Sequence, residues 1–265
     1  MDRPPAHHSD TWAHLRAISP ARIALGRAGG SLPTRALLDF SLAHSQARDA
    51  VHSPFEPDQL AQELGSLGCP TRVLATRASD RKAFLTRPDW GRELSPTSRA
   101  ALAELGFAGQ KSCDLVVIVS DGLSALAAQR QVIPLLAVLW PALQEQGWKL
   151  APVLVIPRAR VALQDEVGEL LGACLALTLL GERPGLLAPD SLGAYFVHQP
   201  LRGRTDADRN CVSNIHPAGL PPAEAALVLW RLLRRSRSEQ CSGVLLKDDT
   251  PAASITSQPR LDHDH

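Results

Sequence analysis

The chain has 265 residues, with 28 basic against 27 acidic side chains and 45% apolar residues. That length suits one large domain or two small ones, and near-zero net charge at 21% charged residues excludes wholesale disorder. The balance also lacks the basic excess that marks a binder of nucleic acid or of a membrane surface. Nearly all the cations are arginines, lysine occurring only at Lys82, Lys111, Lys149 and Lys247. Genome base composition explains this bias at least as well as anion recognition does.

The uncharged stretches at 131–142 and 171–181 fall short of the roughly 18 apolar residues a membrane span needs. The opening MDRPPAHHSD has no apolar core and is not expected to act as a secretory signal. Cys69, Cys113, Cys174, Cys211 and Cys241 are odd in number, widely spaced and free of any CxxC pair. They read as reduced thiols of an intracellular protein rather than as a disulfide framework or a zinc knuckle.

In chain order, residues 1–10 are polar and expected to be disordered, and 1–57 as a whole form an N-terminal helical region. A short amphipathic turn is predicted at 11–18. After the glycine break GRAGG, a helix at 33–51 places Leu37, Leu38, Ser41, Leu42 and Ser45 at helical spacing. Pro54 and Pro57 then punctuate the chain. Residues 58–248 read as an α/β domain, beginning with a short strand at 72–75. Ser95 and Pro96 make an N-cap and first-turn pair for a helix to about Leu105. The β-branched run LVVIV at 115–119 predicts a strand buried on both faces.

A helix at 124–146 follows, with a kink expected at Pro134. Next come a strand at 153–156, a helix at 164–171, strands at 175–180 and 194–197, and a closing helix at 221–235. The tail 249–265 is expected to be disordered, its HDH ending lacking the further ligands a metal site needs. The predicted fold class is α/β: a Rossmann-like, mostly parallel sheet with helices on both faces, preceded by a small N-terminal helical domain.

In such a sheet, ligands collect beyond the carboxyl ends of the strands. Four loops there carry candidate chemistry. SDGLS at 120–124 lacks a Walker or dinucleotide fingerprint, so Ser120 and Asp121 read as helix caps and Gly122 as a turn. Arg158 and Arg160 after the 153–156 strand are either phosphate ligands or solvated. GERPG at 181–185 either presents the Glu182 carboxylate on a rigid turn or neutralises itself through Arg183. The segment from Asp206 to His216 reads as a long polar loop. Within it Cys211 has no flanking base and is taken as a buried structural thiol rather than a nucleophile, although a pair with His216 stays open. Asn214-Ile-His216-Pro-Ala-Gly219 approaches the D-x-H-x-x-G pattern of axial cobalamin histidines, but the orienting Asp is replaced, so His216 reads as a hydrogen-bonding loop residue.

Together the stretches GRAG (26–29), LPTRALLDFSLAHSQARDAV (32–51), LTRPDWGREL (85–94), VIVSDGLS (117–124), RVALQDEVGELLGA (160–173), LLGERPGL (179–186), SLGAYFV (191–197) and DADRNCVSNIHPAGLPPAEAA (206–226) resemble the light chain of ethanolamine ammonia-lyase. The resemblance runs from about residue 20 to 235, and GERPGL with DRNCVSNIH carries most of its specificity.

What the resemblance implies is a small subunit binding adenosylcobalamin at the interface with a large (heavy) subunit, for radical conversion of ethanolamine to acetaldehyde and ammonia. It implies six copies of each chain, cofactor contacts at Val161, Glu182 and Cys211, and no catalytic or metal-ligating residue in this chain. Asp121, Arg160 and Arg183 are second-line candidates. A bacterial intracellular location follows, in a microcompartment or, where encapsulation is lost, in the cytoplasm, with no nucleic-acid or membrane partner. The residues alone leave two other readings open: a stand-alone nucleotide-binding module, and a non-catalytic assembly or targeting protein.

Overall fold

A computed structural model describes residues 10–105 and 113–247; the expectations for residues 1–9, for the tail 249–265 and for its HDH ending lie outside the described residues. Six strands form one sheet in the order β1-β3-β2-β4-β5-β6: β1 is Thr71–Val73, β2 Cys113–Ser120, β3 Val153–Val155, β4 Ala173–Gly181, β5 Leu192–His198 and β6 Arg209–Ile215. The LVVIV run lies at the centre of β2, between β3 and β4. Alternation splits it between two cores. Leu115, Val117 and Val119 join one cluster with α2 (Pro57–Ser66), α5 (Ala125–Glu145) and α7 (Pro222–Glu239). Val116 and Ile118 join a second with Leu102 of α4 (Pro96–Leu105) and Leu163, Val167 and Leu171 of α6 (Leu163–Leu171). Helices therefore cover both faces.

The sheet is mixed, which corrects the mostly parallel, Rossmann-like expectation. β1, β3, β2 and β4 run parallel, but β5 pairs with β4, and β6 with β5, in antiparallel fashion. The cause is the connection between β4 and β5. Parallel neighbours need a crossover of a dozen or more residues, usually a helix, and residues 182–191 hold none. The strand at 194–197 is present, but it returns along its neighbour.

A second correction concerns residues 206–216, read as a loop and folded largely as the edge strand β6. Its burial does not alternate: Arg209, Val212 and Ile215 are buried, and a register shift between Leu192 and Ala194 of β5 marks an irregularity in the pairing. Polar residues on an outer strand suit an unpaired edge and hide the strand from pattern reading.

The N-terminal helical domain is not seen as a unit with its own core. The 3-10 turn Ala13–Ala17 buries nothing, and α1 (Thr34–His52) buries only Ala43 and Ala50. α1 instead lies against α5 through a small-residue face. Leu37, Leu38 and Leu42, the stripe that the spacing picked out, point away and stay 53%, 63% and 60% exposed. Pro57 does more than punctuate: it stands in the first turn of α2, whose Leu60 and Leu64 enter the core. The short helix α3 (Arg81–Thr86), capped by Asp80, also went unread.

α5 is long and apolar enough, by length and composition, to cross a membrane. Its Leu135, Leu136, Leu139 and Leu143 instead fill the core beneath the sheet. It runs through Pro134 and Pro141 because ten buried side chains hold it there.

Candidate functional site

β2 leaves toward α5 on one face and β3 leaves toward α6 on the other, so a crevice opens between their carboxyl ends, where α/β sheets bind ligands. A cleft of about 550 Å³ elsewhere lies against α1; the one at this crevice, about 480 Å³, is lined by His52, Phe55, Arg81, Asp121 and Arg158 among others. Its two arginines are already engaged by the chain itself. The Asp121 carboxylate accepts from the Arg158 amide and, at 3.2 Å, from Arg81. Arg81 also donates to Gly122 O at 2.7 Å and Leu123 O at 3.2 Å, and Arg158 Nε to Ala78 O at 2.8 Å. Arg160 sits over the Phe84 ring, 4.0 Å from its centroid, and donates to Phe84 O at 3.0 Å. Burial, with Arg92 and Arg81 close by, pushes its guanidinium down from the ordinary value. These arginines clamp the loops together, leaving a phosphate little to replace.

In SDGLS, Gly122 makes the turn as expected, but the cap of α5 is Ser124 and not Ser120 or Asp121, whose side chains accept instead from the Ala159 and Arg158 amides. Ser124 Oγ accepts from the Ala127 amide at 3.2 Å, and Gly122 has φ of 49°. The loop also locks the end of β4: the Leu123 amide donates to Gly181 O at 2.9 Å, and a Cβ on Gly181 would lie 2.0 Å from Ser124 O and 2.4 Å from Asp121 O. Only glycine fits there, and the next residue is Glu182.

Glu182 is held at both ends. Its amide donates to Ser191 O at 2.9 Å, and its Oε2 accepts from Ser191 Oγ at 2.6 Å and from the Asn214 amide at 3.4 Å. Among the described residues no donor reaches Oε1, and no ion pair joins Glu182 to the exposed Arg183, so the turn does not neutralise itself. Oε1 lies 2.8 Å from the point where a Cβ on Gly193 would sit, beside the Tyr195 ring.

Tyr195 stands opposite Cys211 in the β5–β6 register, its side chain beside the thiol. Burial, then Cys211 and Glu182, hold the Tyr195 hydroxyl above its ordinary range, so it stays protonated. Cys211 is exposed, not the buried thiol expected, because β6 is the edge. Desolvation against the sheet still raises its pKa; the neighbouring Tyr195 hydroxyl opposes this and the Glu182 charge adds to it. His216 takes no part: its Nε2 pairs with Asn214 Oδ1 at 2.9 Å inside a tight turn where Asn214 has φ of 61°.

Val161 lies in the turn before α6, its carbonyl accepting from the Gln164 amide at 3.2 Å. With its amide group turned, the buried Gln164 side chain donates to Ala176 O at 3.0 Å and Tyr195 O at 3.1 Å. One residue on, Asp165 makes a two-pronged pair with Arg209 of β6, at 2.7 and 2.8 Å. The start of α6 is thus fastened to both outer strands on the sheet face that carries Tyr195 and Cys211. Glu182 and Cys211 come together around Tyr195; Val161 shares their face and makes no hydrogen bond to either among the described residues. The sequence reading missed Tyr195 and Gly193. The signal was available: position 195 is the chain's single tyrosine, two residues after a glycine in an otherwise apolar strand.

The model of the family described as "Ethanolamine ammonia-lyase light chain (EutC)" matches residues 9–247. A relative from Pseudomonas fluorescens named ethanolamine ammonia-lyase small subunit is 47% identical over 262 residues, covering 99% of this chain and 96% of its own. Relatives of the same name from Azotobacter vinelandii and Ralstonia nicotianae are 50% and 49% identical over 254 and 247 residues, covering 96% and 93% of this chain and 94% and 92% of their own. With GERPGL, DRNCVSNIH and nearly the whole chain inside the match, the protein belongs to the family of ethanolamine ammonia-lyase light chains.

Proposed function

We propose that this chain binds adenosylcobalamin at the interface with a large subunit and serves there in the conversion of ethanolamine to acetaldehyde and ammonia, in an assembly of six large and six small chains. The observation that carries the reading is Glu182: a carboxylate fixed through Oε2 at a rigid strand end, with Oε1 left to accept. A corrin rim bears amide side chains, whose N–H groups such an acceptor fits. The exposed edge at Cys211 leaves β6 open to a broad, flat ligand. When bound, the cofactor supplies the radical chemistry. Glu182 orients the rim, the backbone groups of Val161 and Cys211 exchange hydrogen bonds with further amides, and their side chains exclude water. No catalytic residue is assigned to this chain.

The outward stripe of α1 supports a protein that works against a partner, since an apolar helix face left in water gains little from folding alone. Replacing Leu38 and Leu42 by aspartate is expected to leave the melting temperature of the isolated chain within a few degrees while abolishing co-purification with the large subunit. Retained co-purification sets this stripe outside the interface. The proposed location is the bacterial cell interior, in a microcompartment where encapsulation is kept, with neither nucleic acid nor membrane as partner.

Titration of the co-purified pair with adenosylcobalamin, followed by absorption, tests the assignment. Glu182→Ala is expected to raise Kd about 10- to 100-fold, the equivalent of about 1.5–3 kcal/mol for a hydrogen bond to a charged group, with unchanged melting. An unchanged Kd refutes the cofactor reading. Tight nucleotide binding by the lone chain, with no uptake of cobalamin by the pair, installs the nucleotide module in its place.

A further inference from the structure

Resting on the cofactor reading just given, we infer that Tyr195 and Gly193 are the positioning residues of the cofactor surface, setting Glu182 and Cys211 against an amide-rimmed, corrin-type ring. The inference begins with the pleat of β5. Leu192, Ala194 and Phe196 point into one core, so Gly193, Tyr195 and Val197 face the other side. There Val197 is covered by α6, whereas Tyr195, two residues along, is half-exposed beyond the helix. Tyr195 is the first side chain of this strand that a ligand on that face meets.

Gly193 is a matter of space rather than backbone conformation, its φ not being positive. A Cβ there would stand 2.8 Å from Glu182 Oε1, 2.8 Å from Tyr195 Cε2 and 3.1 Å from Tyr195 Oη. Real Cβ atoms do not approach so closely, so any side chain at 193 displaces the carboxylate, the ring or both. The ring edge and the carboxylate therefore pack against the same patch of bare backbone, and each limits where the other can go.

Across the strand pair Tyr195 faces the Cys211 thiol, its direct cross-strand partner. Its backbone carbonyl is meanwhile held by the turned Gln164 amide, which ties it to the helix that begins just after Val161. One residue thus touches the surroundings of all three assigned contacts. Glu182 needs this help: Ser191 and Asn214 fix only Oε2.

The test uses the co-purified light and heavy chains, with adenosylcobalamin as the probe. Tyr195→Phe keeps the ring and loses the hydroxyl; Gly193→Ala adds the obstructing methyl. Three quantities are read: Kd from absorption, the melting temperature, and the rate at which N-ethylmaleimide labels Cys211, located by peptide mass. Both variants are expected to raise Kd about 5- to 20-fold with KM for ethanolamine unchanged at saturating cofactor. Tyr195→Phe is further expected to slow Cys211 labelling in the cofactor-free pair at pH 8, because the hydroxyl that favours the thiolate is gone. A purely structural role moves the melting temperature and leaves Kd and labelling as they were, and that outcome overturns the inference. If Gly193→Ala does not fold, Tyr195→Phe decides alone. Glu182→Ala in parallel separates the two claims: if it weakens binding and these two do not, this inference fails by itself, and if it too is without effect, the cofactor reading falls and takes this inference with it.

Discussion

Replacing Asp165 by alanine is expected to cost about 3–5 kcal/mol of folding stability, the largest effect of any single polar substitution proposed for this chain. Arg209 and Asp165 have side chains only 4% and 6% exposed. Burial alone lowers the affinity of the guanidinium for its proton, but the hydrogen bonds and charge of Asp165 outweigh it and hold Arg209 above its ordinary range. Without the carboxylate, the partners that remain to Arg209 among the described residues are Arg204 O at 3.0 Å, the fully exposed Asp206 at 3.7 Å and the more distant charge of Asp208. Arginine cannot relieve its burial by giving up the proton. The charge must drag in water or pull β6 away from α6.

Urea unfolding at constant m-value measures the loss. The double replacement Asp165→Leu with Arg209→Met is expected to recover most of it, because no buried charge is then left unpaired. A loss below 1 kcal/mol for Asp165→Ala shows that water already reaches the pair. The consequence extends to the proposed site: α6 carries the Val161 turn at its start, β6 carries Cys211, and this ion pair joins them.

The second large effect is expected from Gly181→Ala, at about 2–3 kcal/mol, or roughly 4–12 °C in Tm. The added methyl meets backbone oxygens of Ser124 and Asp121, which cannot swing aside as a flexible side chain does. Relief requires separating the SDGLS loop from the end of β4 and breaking the bond from the Leu123 amide to Gly181 O. Gly185→Ala, four residues on, is the control: its nearest neighbour would be Ala188 O at 3.9 Å, and its stability is expected to stay within about 0.5 kcal/mol of the parent. Calorimetry on both variants decides. Equal Tm values mean that the two loops are not pressed together. Because Glu182 follows directly, Gly181→Ala is also expected to weaken cofactor uptake in whatever fraction remains folded.

Much of the fold can be read from apolar runs. LVVIV announces β2 because both faces of a central strand are buried, and Ser95 with Pro96 marks the start of α4, where Ser95 Oγ accepts from the Ser98 amide at 3.2 Å. What periodicity lacks is direction. The Leu37, Leu38 and Leu42 stripe is legible as a helix face, but nothing in its spacing tells that Ala43 and Ala50 form the packed side instead. The run at 194–197 is legible as a strand, but its antiparallel sense is set by the length of the connection before it. β6 stays hidden because Asn210, Ser213 and Asn214 carry no period on an exposed edge.

The proposed site is less legible still. Val161, Glu182 and Cys211 come from family resemblance, not from pattern. The strand-end rule indicates the segments holding all three, but it points as well to the loops of Asp121 and Arg158, which the chain ties to one another. Tyr195 escaped notice because its role depends on a cross-strand neighbour that only the β5–β6 register supplies.

The account is tested most directly by an electron cryomicroscopy map of the co-purified light and heavy chains loaded with adenosylcobalamin. It predicts corrin amides within hydrogen-bond distance of Glu182 and of the backbone at Val161 and Cys211, with Tyr195 beneath them. A corrin seated wholly on the heavy chain, or in the cleft between His52, Phe55, Arg81 and Arg158, contradicts it.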